Sequence, residues 1–293
     1  MIPMPIIVGA PRSGTTLLRF MLDAHPDVAI PPETGFLTIG GDFAAQDDEL
    51  REAFFGAVTR YPSDMPAWED FGIPGEVFRA ALSGIEPFTV DEGYRAFYRL
   101  YAARFGKPRW GDKTPVYCFC LETIASILPE AHFVHIIRDG RDVCLSWRAT
   151  WFSPGRDIET QAGSWSGFVE SARRQGARCP HYLEIRYEDL ILDTRRTLEQ
   201  VCAFAQLSLD ERMLRYYEGA PERLREHATR RRADGTVALT ADERLRQQRA
   251  TLQPPDRDRV AGWKSSMCVD EQARFDAVAG GLLAELGYER RQP

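Results

Sequence analysis

The segment from Met4 to Ala24 does most to constrain the fold. Ile6 to Val8 is a short continuous apolar run, which reads as a strand buried on both faces. Gly9-Ala10-Pro11-Arg12-Ser13-Gly14 follows as a turn. Thr15 to Ala24 then reads as a helix, with Leu17, Leu18, Met21 and Leu22 at helical spacing. A strand that enters a helix through a glycine turn builds an anion site. The first backbone N–H groups of the helix have no partner within it, and the helix dipole favours negative charge there. Gly14 lets the backbone approach a ligand closely, and the hydroxyls of Ser13, Thr15 and Thr16 add donors.

The turn departs from the nucleoside-triphosphate loop, G-x-x-x-x-G-K-[ST]. Gly9 and Gly14 keep its spacing. Thr15, however, stands where the lysine belongs, and the cation has moved to Arg12. A triphosphate–Mg²⁺ site wants a lysine on the terminal phosphates and a carboxylate on the metal. A bridged phosphate–sulfate group carries less charge and needs no metal, and an arginine fork suits its oxygens.

Further buried runs lie at 132–137 and 182–187, with a short one at Val28 to Ile30. Helical patterns cover about 47–58, 75–83, 91–105, 117–128, 159–178, 193–205, 209–218 and 269–286, the last ending at Gly287. Alternation of buried strands with helices predicts an α/β fold, a P-loop-type parallel sheet with helices on both faces. One domain is expected over residues 1–293, with a helical insertion on the acceptor side at about 41–108. The arginine-rich stretch at about 221–258 reads either as a solvated loop or as a lid. No internal repeat or low-complexity tract interrupts the chain.

A net charge of −6 argues against a general nucleic-acid binder. The six cysteines show no zinc-like C-x₂-C pair and read as apolar fillers of a reducing compartment. No window approaches the ~20 apolar residues of a membrane span, and the first residues do not read as a leader. A cytoplasmic location, no metal and no membrane span are therefore expected. His132 and His135 sit in a strand pattern without metal-ligand spacing and read as structural.

Pro11-Arg12-Ser13-Gly14-Thr15-Thr16 resembles the 5′-phosphosulfate loop of sulfotransferases that use 3′-phosphoadenylyl sulfate (PAPS). The whole run from Pro11 to Glu33 is similar to the tyrosylprotein sulfotransferases and their bacterial relatives. The resemblance implies a sulfotransferase fold. It also implies that Arg12, Ser13, Gly14, Thr15 and Thr16 hold the phosphosulfate, and that Glu33, after Pro31-Pro32, removes the acceptor proton. Without it, Glu33 reads only as a carboxylate near a helix start.

Trp110-Gly111-Asp112-Lys113-Thr114-Pro115 resembles the family's lysine motif, in which the lysine contacts the sulfonyl group. Read locally it is a turn with Asp112 or Thr114 as helix cap. In the cytosolic branch a histidine base follows two residues after the lysine. Pro115 stands there in this chain, which leaves Glu33 as the base. Arg138 and Ser146, eight residues apart, match the family's 3′-phosphate pair at the end of the 132–137 strand. Some relatives add an arginine four residues on. Here that place is Thr150, with Arg148 near it, and the contact stays open. Tyr187, in Tyr187-Glu188-Asp189-Leu190, is either beside the adenine or a buried structural residue. The run from Arg257 to Lys264, ending in Ala261-Gly262-Trp263-Lys264, resembles a C-terminal nucleotide motif, with Arg259 or Lys264 as the contact.

The resemblance thus implies direct transfer of a sulfuryl group from PAPS to a hydroxyl acceptor, small molecule or tyrosine, leaving 3′,5′-adenosine bisphosphate. Arg12 and Lys113 would offset the developing charge. Two alternatives stay open at this point: a P-loop kinase of a small alcohol, and a non-catalytic nucleotide-binding relative. Oligomeric state is not legible.

Overall fold

A computed structural model describes residues 1–289 of the 293-residue chain. Its centre is a four-stranded parallel sheet in the order β4-β1-β5-β6. The strands are β1 (Met4–Val8), β4 (Asp112–Lys113), β5 (Ala131–Ile137) and β6 (Tyr182–Arg186). A separate pair, β2 (Val28–Ala29) and β3 (Arg109–Trp110), runs beside them. The sheet ladder pairs Ile7 with Lys113 and Val8 with His135, and β5 joins β6 through Ile137 and Arg186.

Packing of helices on both faces explains why β1 and β5 are buried throughout. Met4, Ile6, Val8, Ala131 and Phe133 face one helical layer, whereas Ile7, Val134 and Ile136 face another. The first layer is aromatic-rich. Helices Asp47–Thr59, Gly75–Ser83 and Val90–Ala103 bring Phe54, Phe78, Tyr94 and Phe97 into it, and they lie within the 41–108 stretch expected to be helical. The second layer holds helix Thr15–Asp23 and helix Thr194–Phe204. Helices Ile158–Gly176 and Val269–Glu285 pack on each other in a third cluster around Trp165 and Phe275.

Some boundaries differ from the sequence reading. The expected 117–128 helix is two pieces, a 3₁₀ turn at Pro115–Phe119 and a helix at Leu121–Ile127. The proline starts the tight turn, where its missing N–H is not needed. The 182–187 strand stops at Arg186, because Tyr187 opens the short helix Tyr187–Leu192. The stretch at 209–218 is a one-turn helix, Glu211–Leu214, and a 3₁₀ turn.

The arginine-rich stretch folds onto the body. It carries helix Ala220–Leu224, the hairpin β7 (Arg230–Arg231) and β8 (Val237–Leu239), and helix Ala241–Gln248 with a Thr240–Glu243 capping box. Arg225, Arg231, Arg232, Arg246 and Arg249 are exposed. Arg223, Arg230 and Arg244 are not part of a solvated face. Arg223 pairs with buried Asp23 at 2.7 Å, and Arg230 and Arg244 both pair with buried Asp70, at 2.7 and 2.6 Å.

Candidate active site

The four sheet strands end side by side, and each end delivers a polar side chain to one rim. β1 runs into the loop with Arg12, β4 ends at Lys113, β5 runs into Arg138, and β6 runs into Tyr187. In parallel α/β sheets this carboxyl-end rim is where ligands bind.

Gly14 carries a positive φ of 96° and lies against Tyr187; a Cβ there would meet the Tyr187 ring at 2.5 Å. Arg12 is also left-handed, at φ 76°. That backbone costs a non-glycine residue roughly 1–3 kcal/mol and persists only where the surroundings hold it. Here the Arg12 carbonyl accepts from the Arg138 guanidinium at 3.1 Å. The Arg12 side chain donates from Nε to Ser146 Oγ at 3.0 Å and from Nη1 to the Gln247 carbonyl at 3.3 Å. Arg138 also donates to the Arg259 carbonyl at 2.8 Å, and its guanidinium stacks 4.4 Å above the Tyr187 ring. Burial, then the charges of Arg138 and Arg259, lower the Arg12 pKa from its ordinary value. Like charges gathered in one buried place favour an anion between them. Two donors there, Ser13 Oγ and Arg138 Nε, are buried without a partner among the described residues.

On the neighbouring strand, Lys113 is buried and ion-paired with Glu33, and its Nζ lies 3.3 Å from Thr16 Oγ1. Burial lowers the Lys113 pKa from its ordinary value, with Glu33 opposing that shift. Glu33 is set by its successor. Thr34 Oγ1 donates to Asp112 Oδ2 at 2.6 Å and lies 2.6 Å from the Tyr117 hydroxyl. The Thr34 backbone N–H donates to Thr114 Oγ1 at 3.2 Å. Asp112, fully buried, also accepts from Tyr98 at 2.6 Å and Thr114 at 2.8 Å. Burial pushes its carboxyl up to about 6. Asp112 is therefore no helix cap. It ties the Glu33 loop to the strand that carries Lys113.

Two cavities meet at this rim. A narrow cleft of about 90 Å³ is lined by Arg12, Gly14, Thr15, Arg138, Ser146, Tyr187 and Arg259, and is roofed by residues 247–256. A larger cavity of about 480 Å³ is lined by Glu33, Lys113, His227 and an aromatic wall that includes Tyr61, Trp147 and Trp151. Thr16, Gln247 and Gln248 line both. The arrangement suits transfer of a group across Thr16, from an anion held on one side to a nucleophile on the other.

Residues 3–211 match the family described as "Sulfotransferase family". The chain belongs to the sulfotransferase family. As a member it is a transferase. It is 27% identical over 300 residues to protein-tyrosine sulfotransferase 1 of Danio rerio, covering 98% of this chain and 72% of that protein. It is 27% identical over 319 residues to nodulation protein NoeE of Sinorhizobium fredii, covering 98% of this chain and 67% of that one. Among solved structures, the sulfotransferase domain of the curacin biosynthetic pathway superposes with a TM-score of 0.64 at 17% identity, covering 99% of both chains. The sulfotransferase domain of the Synechococcus olefin synthase gives 0.61 at 21% identity, covering 99% of this chain and 96% of that one. These two share the fold: a parallel sheet flanked by helices, the sulfotransferase α/β architecture.

Within this sulfotransferase, Arg12, Gly14, Thr15, Thr16, Arg138, Ser146, Tyr187 and Arg259 come together at the narrow cleft. Ser13, in the same loop, is buried. Glu33 and Lys113 come together on the other side of Thr16. Lys264 does not join them. It is half exposed and pairs with Glu289 at 2.5 Å. Its neighbour Trp263 explains the motif: the Trp263 N–H donates to Asp142 at 2.8 Å, and the ring lies 3.4 Å under the Arg141 guanidinium. The tryptophan anchors and the lysine points to the surface.

Sequence reasoning missed Thr34 and Asp112 as positioning residues, and missed Arg19, His227, Arg230 and Arg244 in the cavity wall. Proximity to Glu33 and Lys113 was a signal for the first two. The others sit far along the chain from their partners. Burial, then Arg244, push the His227 imidazole down to about 3, so it is neutral. Among the described residues no group of His, Cys, Asp or Glu is placed to hold a metal ion, and no helix is long and apolar enough to cross a membrane.

Proposed function

We propose that this chain moves a sulfuryl group from PAPS to a hydroxyl acceptor in a single in-line step. The observation that carries the reading is the division at Thr16. The anion loop lies on one side, and the Glu33–Lys113 pair on the other, with Lys113 Nζ 3.3 Å from the Thr16 hydroxyl.

The unpartnered Ser13 Oγ and Arg138 Nε are donors beside a cluster of arginines, which fits a doubly phosphorylated nucleotide. Residues Arg12 to Thr16 would hold its phosphosulfate, and Arg138 with Ser146 its 3′-phosphate. PAPS supplies the activated sulfuryl group and a phosphate leaving group. Glu33 takes the acceptor hydroxyl proton. Lys113 and Arg12 offset the negative charge that grows on the bridging oxygen and the transferring group. Lys113 begins on Glu33, so turning toward the donor frees the carboxylate as base. The 90 Å³ cleft is below the ~300 Å³ at which ligand pockets start, so donor entry requires the roof at 247–256 to lift. That assigns the arginine-rich stretch the part of a lid.

Calorimetric titration with 3′,5′-adenosine bisphosphate, 5′-AMP and ATP, without and with Mg²⁺, tests the donor. Metal-independent preference for the bisphosphate is expected. Preference for ATP with Mg²⁺ would overturn the reading in favour of a kinase.

A further inference from the structure

The larger cavity has a polar floor and an apolar lip. The floor is Glu33, Lys113 and Thr16. The lip comes from two segments, the turn Pro115–Phe119 and the loop between helices Gly140–Trp147 and Ile158–Gly176. Val116 and Trp151 line the cavity yet are 42% and 60% exposed. Phe119, 51% exposed, packs on Phe168 of the cavity wall with ring centroids 4.7 Å apart. Trp151 meets Phe152, which also lines the cavity, edge to face at 5.6 Å. A tryptophan and a phenylalanine left in water beside a candidate catalytic site mark a binding surface.

The charged groups of the wall are paired within the protein, with two arginines on one carboxylate. Arg19 pairs with Glu226, Arg230 and Arg244 share Asp70, and Lys113 pairs with Glu33. The two arginines on Asp70 spend donors on backbone carbonyls as well, of Met65 and Ala228. Arg230 Nε stays buried without a partner among the described residues, so one polar donor remains beside these paired charges. Apolar contact at the lip, where Val116, Phe119 and Trp151 are exposed, is the larger unmet capacity of this cavity.

We infer that the acceptor is an amphiphile: an alcohol or phenol whose hydroxyl sits at Glu33 and whose alkyl or aryl body runs out over Val116, Phe119 and Trp151. This rests on the proposed sulfuryl transfer for its chemistry, but the binding it asserts is measurable without turnover.

The test uses the full chain and a series of 4-n-alkylphenols from methyl to octyl. Their affinity is measured calorimetrically, with and without 3′,5′-adenosine bisphosphate, and PAPS turnover is followed alongside. Affinity should rise roughly threefold per methylene while the chain lies on the lip. In Trp151→Ala and Phe119→Ala, both at exposed positions, that rise should flatten while affinity for the bisphosphate stays unchanged. A tyrosine peptide flanked by acidic residues should bind more weakly than octylphenol. Chain-length-independent affinity, or tighter binding of the acidic peptide, overturns the inference. Failure to bind the bisphosphate sinks the donor reading instead and leaves the alkylphenol series to judge the amphiphile on its own.

Discussion

Lys113 and Glu33 form an ion pair that spans the boundary between protein and cavity: the lysine side chain is 4% exposed and the glutamate 52%. The buried partner is fixed, and the exposed partner can be released to a ligand. Glu33→Gln should lower kcat by about 10²–10⁴-fold, the range of a general base. Lys113→Met should lower it by about 10²–10³-fold. Both should leave 3′,5′-adenosine bisphosphate affinity largely intact, since neither lines the narrow cleft. Steady-state rates beside calorimetry separate the two effects. Unchanged turnover in Glu33→Gln removes it as the base.

Arg138 is expected to act on binding. It bridges the Arg12 and Arg259 carbonyls and stacks on Tyr187. Arg138→Ala should weaken the bisphosphate by roughly 10- to 100-fold, the worth of a charged hydrogen bond. 5′-AMP, which lacks the 3′-phosphate, should lose less. Equal losses for both nucleotides would place the 3′-phosphate elsewhere.

Asp112 gives the fold a pH dependence. Its carboxyl is raised to about 6 from an ordinary 3.8. The native state therefore holds this proton more tightly than the unfolded chain. Its contribution is full below pH 3.8 and is lost as pH rises through about 6, by roughly 3 kcal/mol at 1.36 kcal/mol per pH unit. Asp112→Asn should flatten the stability profile across that window, read by urea titrations at a series of pH values. An identical slope in wild type and variant would rule this out.

Asp70 is the hub that seats the arginine-rich stretch. It is 1% exposed and accepts from Arg230, Arg244 and the Ala228 N–H. Asp70→Ala leaves two guanidinium groups without their carboxylate and should cost about 3–5 kcal/mol. Thermal unfolding measures the loss. Protection of residues 228–248 from hydrogen exchange should fall first. A variant as stable as wild type would show that the hairpin and its helix are held by something else.

How much was legible in the sequence follows from distance along the chain. The loop from Gly9 to Thr16 could be read because strand, turn and helix start are contiguous, and because periodicity shows which face of each is buried. Glu33 and Lys113 were reached through motif resemblance, and their meeting needs the Ile7–Lys113 register of β1 with β4. Asp70 with Arg244 lies beyond such reasoning, since 174 positions separate them and a lone arginine in a polar run looks solvated. Lys264 lies away from the cleft for a local reason: Trp263 turns inward, and the next side chain in the turn faces out.

The wall at Thr16 has a practical meaning for engineering. The floor of the narrow cleft is built from the loop and helix starts that follow β1, β5 and β6, which rest directly on the buried sheet. The opposite chamber takes Tyr61 and Trp151 from two separate surface connections and Leu239 from the β7–β8 hairpin. The two connections can be exchanged as cassettes. Under the proposed reaction, a library confined to them should retune which acceptors react while donor binding in the narrow cleft stays as in wild type.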